Sequence, residues 1–217
     1  MGFEDRRDAG RALAASLLAH AGPATLVLAL PRGGVPVAFE VARALAAPLD
    51  VLGARKLGAT GNRELAVGAI AEGGVAVVDA RAMRRCAMTQ HSLDEVLVRE
   101  RAELERQVAL YRSGRAAPDL DGVNVIVVDD GLATGLTALA AVRAARAAAA
   151  ASVIVAVPVG AAEALAMLEQ EADAVICETT PRRLRAVGLF YRDFSPVSDE
   201  EVVALLREAA AELGVAR

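Results

Sequence analysis

With 217 residues the chain can bury one sizeable core but is short for two full α/β domains. It is 55% hydrophobic, with a mean hydropathy of +0.38, yet the apolar residues are largely Ala and Val scattered among charges, and no run approaches the roughly 20 apolar residues of a membrane span. A net charge of −4 and a pI near 5.3 give no general electrostatic reason to bind nucleic acid.

The first eight residues carry acidic side chains and no apolar core before a cleavage site, so neither a signal nor a transit peptide is expected, and a cytoplasmic location follows. Asp5 to His20 reads as an amphipathic helix, with Ala9, Leu13, Leu17 and Leu18 on one side and Arg6, Arg7 and Arg11 on others. Gly22-Pro23 stops it. A short apolar strand over 25–30 then runs into Pro31-Arg32-Gly33-Gly34, and helical patterning resumes over 35–46. Paired glycines let a backbone approach an anion closely, and Arg32 adds a permanent forked cation; the alternative is a plain Pro-Gly turn.

A second strand over 49–54 ends in Arg55-Lys56, two cations at the carboxyl edge of the sheet, where open α/β folds bind ligands. Residues 57–64 have the composition of a mobile loop. Residues 65–71 and 75–79 flank Glu72-Gly73-Gly74 as a hairpin, expected to give the sheet an antiparallel edge. Residues 80–90 fit a short helix or a loop. Ser92 with Glu95 is a capping box for a helix whose stripe, Leu97, Leu104 and Tyr111, packs on the domain or at a dimer contact. A Gly- and Pro-bearing linker over 113–122 follows. Cys86 and Cys177 lack metal-ligand spacing and read as free or buried thiols.

The most informative stretch comes next. Val125 to Val128 is a continuous apolar run, the pattern of a strand buried on both faces, and Asp129-Asp130 sits at its carboxyl end. Gly131-Leu132-Ala133-Thr134-Gly135-Leu136-Thr137 is a loop of small and hydroxyl-bearing residues leading into an Ala-rich helix over 138–151. Such a loop can turn amides inward, with a helix N-terminus behind them, to hold a phosphate; an ordinary βα turn with helix-capping Asp and Thr is the simpler reading. A strand over 152–157 ending at Pro158, a helix over 161–170 and a strand over 173–177 complete a βαβαβ cadence, which implies a mostly parallel sheet with helices on both faces. Of six aromatic residues in the chain, Phe190, Tyr191 and Phe194 fall within five positions. They form either a hydrophobic plug or a platform for a planar base. Ser198 with Glu201 starts a last helix through Leu213.

Asp129 to Thr137 behind its strand resembles the phosphoribosyl-pyrophosphate (PRPP) motif of type I phosphoribosyltransferases, and the resemblance extends in order through Arg32-Gly33-Gly34 and Arg55-Lys56. It implies a single three-layer α/β/α domain over 1–217, with a mostly parallel central sheet, an inserted hairpin and helix over 57–122, and a hood with a final helix over 178–217. The implied activity is Mg2+-dependent transfer of a phosphoribosyl group from PRPP to a nitrogenous base with release of pyrophosphate. Asp129, Asp130 and Lys56 are then catalytic, and the two aspartates hold the ribose hydroxyls and, through water, Mg2+. Gly131, Leu132, Ala133, Thr134, Gly135 and Thr137 bind the 5′-phosphate; Arg32, Gly33, Gly34, Arg55 and Lys56 bind pyrophosphate. Phe190, Tyr191 and Phe194 stack the base.

Arg182, Arg183 and Arg185 line the acceptor pocket or form a solvated turn. The resemblance also suggests a cis peptide at Arg32-Gly33 and a loop over 57–64 that closes on PRPP. Leu132-Ala133-Thr134-Gly135 is closer to the adenine type than to 6-oxopurine enzymes, which carry an acidic residue at the position of Ala133. One departure matters: adenine and orotate phosphoribosyltransferases have a lysine where this chain has Ala59, with Arg63 as a substitute. A PRPP- or nucleotide-binding regulator without transferase activity is the alternative. The expected partners are PRPP, a small base and a second copy in a homodimer, with no nucleic acid or membrane.

Overall fold

A computed structural model describes residues 2–212, apart from the side chains of Arg63 and Glu64. The expected substitute cation Arg63 and the helix end at Leu213 therefore lie outside what is described. The chain runs α1 (Arg6–Leu17), β1 (Thr25–Ala29), α2 (Gly34–Leu45), β2 (Leu49–Val51), β3 (Ala54–Ala59), β4 (Asn62–Ala71), β5 (Ala76–Val78), α3 (Ala80–Arg85), α4 (Gln90–Arg112), β6 (Asn124–Val128), α5 (Leu136–Ala147), β7 (Ser152–Val159), α6 (Ala162–Leu168), β8 (Ala174–Thr179) and α7 (Asp199–Glu212).

Five strands form one parallel sheet in the order β2-β1-β6-β7-β8. Its strands are apolar on both faces because helices cover both. Val27, Ala29, Ile126, Val128, Ile154 and Ala156 pack with α1, α2 and α7. Their alternates Leu26, Leu28, Val125, Val127, Val153 and Val155 pack with α5 and α6. The three-layer expectation holds.

The hairpin differs from its expected place. β3, β4 and β5 make a separate antiparallel sheet rather than an edge of the main one. One face of it joins the core under α5 through Ala54, Ala69, Ala71 and Val77. The other holds Leu57, Ala59, Val67 and Ile70 against α3 and α4. The apolar run over 49–54 thus divides at Leu52-Gly53, where α4 crosses so closely that a Cβ on Gly53 would lie 2.4 Å from Val108 Cγ2. The stretch 57–64 is mostly β3 and β4, turning at Thr60-Gly61, instead of a long loop.

Smaller differences have local causes. Helix α4 starts at Gln90 because the Thr89 hydroxyl, rather than Ser92, caps it by accepting from the Ser92 amide at 3.2 Å. Its stripe packs within the chain, with Leu93, Val96, Leu104 and Tyr111 buried. Strand β7 continues through Pro158 to Val159: its pairing with β6 ends at Ala156, so the missing proline N–H falls beyond that ladder. Leu18 leaves the α1 stripe in a terminal 3-10 turn and is 57% exposed.

Candidate functional site

Strands β1 and β6 are neighbours, so the two motif loops leave the same edge of the sheet side by side. The first turns sharply at a cis peptide between Pro31 and Arg32. The resemblance had suggested the next bond. Gly33 already has helical φ and ψ as the cap of α2, and Gly34 N–H donates to Leu30 O at 3.1 Å, so the turn is complete one residue sooner. The glycines are there for close approach. A Cβ on Gly33 would lie 2.0 Å from Asp130 Oδ2, and one on Gly34 would lie 2.6 Å from Val128 O.

Asp129 and Asp130 follow β6 and are partly buried against that loop. Asp129 Oδ1 accepts the Asp130 amide at 2.8 Å. Asp130 Oδ2 accepts from Arg6 Nε at 2.8 Å, an ion pair of which both side chains are largely buried. Burial, then repulsion from Asp130, pushes the Asp129 carboxyl well above the usual range. Burial also raises Asp130, against the opposing pull of Arg6. Two carboxylates facing one guanidinium leave the pair short of positive charge.

The loop to α5 is fixed at one point and open elsewhere. Leu132 N–H donates to Val159 O at 2.9 Å and Leu132 O accepts from Ala161, so this amide is unavailable to a phosphate. Gly135 has φ +74° as the N-cap of α5. No described group accepts from the amides of Ala133, Thr134, Gly135, Leu136 or Thr137. They are successive donors left over at a helix N-terminus.

The sequence profile of the phosphoribosyl transferase domain matches residues 4–189, which include both loops and the acidic pair. The chain belongs to that family. Two curated Mycobacterium tuberculosis proteins, from strains CDC 1551 and H37Rv, are each 47% identical to it over 207 residues, covering 95% of this chain and 47% of theirs. The chain thus spans about half the length of these relatives, whose names give phosphoribosyl transferase activity provisionally. TT1426 from Thermus thermophilus is similar in structure, with a TM-score of 0.79 and 43% identity over 96% of this chain and 99% of that one. AQ2163 from Aquifex aeolicus shares the fold at a TM-score of 0.53 and 15% identity, over 84% and 78% of the two chains.

Within this phosphoribosyl transferase domain the remaining predicted site residues divide. Arg55 and Lys56 lie inside β3, not at the carboxyl edge of the parallel sheet, and neighbours on a strand point to opposite faces. Arg55 is turned to α4, donating to Glu100 Oε2 at 2.9 Å and Gln107 Oε1 at 2.9 Å. Lys56 shares the face of Ala54, towards α5. Arg32 is half-exposed, 3.7 Å from Asp199 Oδ1. Ala59 is a buried position against α3 and α4.

The aromatic segment lies over the acidic pair. Tyr191 is buried, and its ring packs between Phe3 and Phe194, with centroids at 5.6 and 5.0 Å. Its hydroxyl donates to Asp130 O at 2.6 Å. Phe190 and Phe194 are half-buried, whereas Arg182, Arg183 and Arg185 are exposed. Sequence reasoning missed Arg6: it read as one of three cations on the outer sides of an amphipathic helix, and nothing local distinguished it.

The donors fit a hard cation that keeps its waters. Two carboxylates converge, and among the described residues no group of three or more His, Cys, Asp or Glu could hold a metal alone. Mg2+ characteristically takes one or two protein carboxylates plus water and phosphate oxygens. Among the described residues no helix is long and apolar enough to cross a membrane.

Proposed function

We propose that the chain transfers the phosphoribosyl group of PRPP to a nitrogenous base. The observation that carries this reading is the meeting of Asp129-Asp130 with the Gly33-Gly34 loop on one side and, on the other, the amides leading into the first turn of α5, which have no acceptor among the described residues. In this reading the amides of Ala133 to Thr137, with the Thr134 and Thr137 hydroxyls, hold the 5′-phosphate. Asp129 and Asp130 hold the ribose hydroxyls. Arg32 and Lys56 neutralise pyrophosphate, while Arg55 braces β3 on α4 from behind.

A ring nitrogen of the acceptor attacks the anomeric carbon, the bond from that carbon to the pyrophosphate oxygen breaks, and the acceptor nitrogen gives up its proton to the departing pyrophosphate or to solvent. Charge develops on ribose and on the leaving group, so position and electrostatics carry the catalysis. Mg2+, held by the aspartates through water, would offset charge on the departing pyrophosphate. The half-buried ring of Phe190 receives the base, supported by Tyr191 and by Phe194, whose own ring packs on Tyr191 and carries the Arg6 guanidinium.

Pyrophosphate release from PRPP with Mg2+ and a panel of purine and pyrimidine bases tests this; release that depends on one base is expected, and tight PRPP binding without release for any base would overturn it. The second reading is a PRPP-binding regulator. Arg55 turned to Glu100 and the core position of Ala59 favour it, because both remove cations from the pyrophosphate side.

A further inference from the structure

Arg6 lies outside both loops and outside every motif of the sequence, yet it joins three segments that meet only in the folded chain. From the first turn of α1, held by the Asp5 cap, its Nε donates to Asp130 Oδ2 at 2.8 Å. Its Nη1 donates to the main-chain oxygen of Ser195 at 2.9 Å. The flat guanidinium lies over the ring of Phe194, 3.9 Å from its centroid. The same Nε is 3.3 Å from where a Cβ on Gly33 would sit, so the cation also borders the first loop. The side chain is only 11% exposed.

We propose that Arg6 is the positioning residue that sets the hood's base platform against the ribose-binding carboxylates; this rests on the function proposed above. The hood over 180–198 has little regular structure of its own, a single 3-10 turn over Val187–Phe190, so its placement depends on contacts to the rest of the chain. Tyr191 fixes the hood to the main chain of Asp130, and the hood's Phe190 and Arg192 pair with Phe3. Arg6 fixes it to the Asp130 side chain, the group that touches ribose. Phe194 and Asp130 are therefore held on two parts of one rigid cation. In a transfer between two bound molecules such a spacing matters, since a misplacement of about 1 Å can cost about a hundredfold in rate.

The chemistry requires arginine. Its planar fork can donate to a carboxylate and a carbonyl in different directions while stacking its face on a ring. Lysine has one nitrogen: it can keep the charge beside Asp130 but cannot also hold Ser195 O and lie flat on Phe194. Arg6→Lys thus separates positioning of the platform from neutralisation of the carboxylate. Arg6→Gln removes the charge and serves as the second variant.

The test compares the binding of ribose 5-phosphate, which occupies the donor half alone, with that of a panel of nucleoside 5′-monophosphates, which span both halves. Affinities are measured by calorimetry for the wild type and both variants, alongside melting temperatures. In the wild type at least one nucleotide binds about tenfold or more tighter than ribose 5-phosphate, the size of one base stacked on an aromatic ring. Arg6→Lys keeps ribose 5-phosphate within about twofold and loses most of that nucleotide advantage. Arg6→Gln weakens both ligands.

Full nucleotide advantage in Arg6→Lys overturns the proposal, as does equal weakening of both ligands in step with a lowered melting temperature, which marks a purely structural role. Ribose 5-phosphate binding with no nucleotide bound more tightly by the wild type removes the platform and this proposal, leaving the donor half standing. A wild type that binds neither class overturns the proposed function as well.

Discussion

The hydroxyl of Tyr191 donates to the main-chain oxygen of Asp130 at 2.6 Å. Burial pushes its phenol well up, so it remains a proton donor at any working pH. The aromatic segment is therefore bonded to the strand end that carries the acidic pair. Tyr191→Phe should keep the ring packing with Phe3 and Phe194 and leave that carbonyl without its donor. The expected loss is about 1–3 kcal/mol of unfolding free energy, seen as a lower denaturant midpoint with an unchanged slope, together with weaker PRPP binding.

Gly33→Ala should abolish PRPP·Mg2+ binding while the protein stays folded. The added methyl would lie 2.0 Å from Asp130 Oδ2, so the carboxylate or the loop must move. The backbone itself can accept alanine, because φ at Gly33 is −62°. Calorimetry with PRPP and a melting curve on the same sample check both parts.

These two sites differ in how visible they were in the sequence. The strand, acidic pair and loop over 125–137 are contiguous, so local pattern was enough to place the ligand-facing edge. Gly33 was legible as a close-approach glycine, but its collision partner, Asp130, lies almost a hundred residues further on. Arg55 and Lys56 were placed at a strand end, yet pairing with β4 decides where that strand runs, and the pleat decides which cation faces α5. Arg6 was illegible for the same reason: its partners Asp130, Phe194 and Ser195 are remote in sequence. Local chemistry was readable; juxtapositions made by the fold were not.

The acidic pair makes the protein without ligand or metal pH-sensitive. Both carboxyls are raised in the folded chain, so the native state binds more protons than the unfolded chain above the ordinary Asp range, about pH 4. Stability from this source is full below that range and is lost as pH rises through the raised values. In chelator, Asp129→Asn should flatten this fall and make the protein more stable than wild type at neutral pH. Denaturant unfolding across a pH series, wild type against variant, measures the difference.

Arg112 ties α4 to β2 of the parallel sheet and to the Glu72–Gly74 turn between β4 and β5 of the small one. It is almost fully buried and donates to Glu72 Oε1 at 2.6 Å, to Val51 O at 2.9 Å and to Asp50 Oδ1 at 3.4 Å. Glu72 in turn accepts the Gly53 amide at 2.7 Å. Arg112→Met should destabilise by about 3–5 kcal/mol, because Glu72 loses its buried cation and Asp50 keeps only the looser contact with Arg115 at 3.9 Å. Equilibrium unfolding checks it.

In the proposed function Asp129 and Asp130 form the ribose- and metal-facing part of a PRPP site. Titration calorimetry of PRPP against the wild type and the Asp129→Asn/Asp130→Asn double variant, with and without Mg2+, tests it most directly. Saturable binding by the wild type that weakens without Mg2+ is expected, with no binding by a double variant that melts no earlier than the wild type. PRPP binding that persists unchanged in the double variant, or is absent from the wild type, would contradict it.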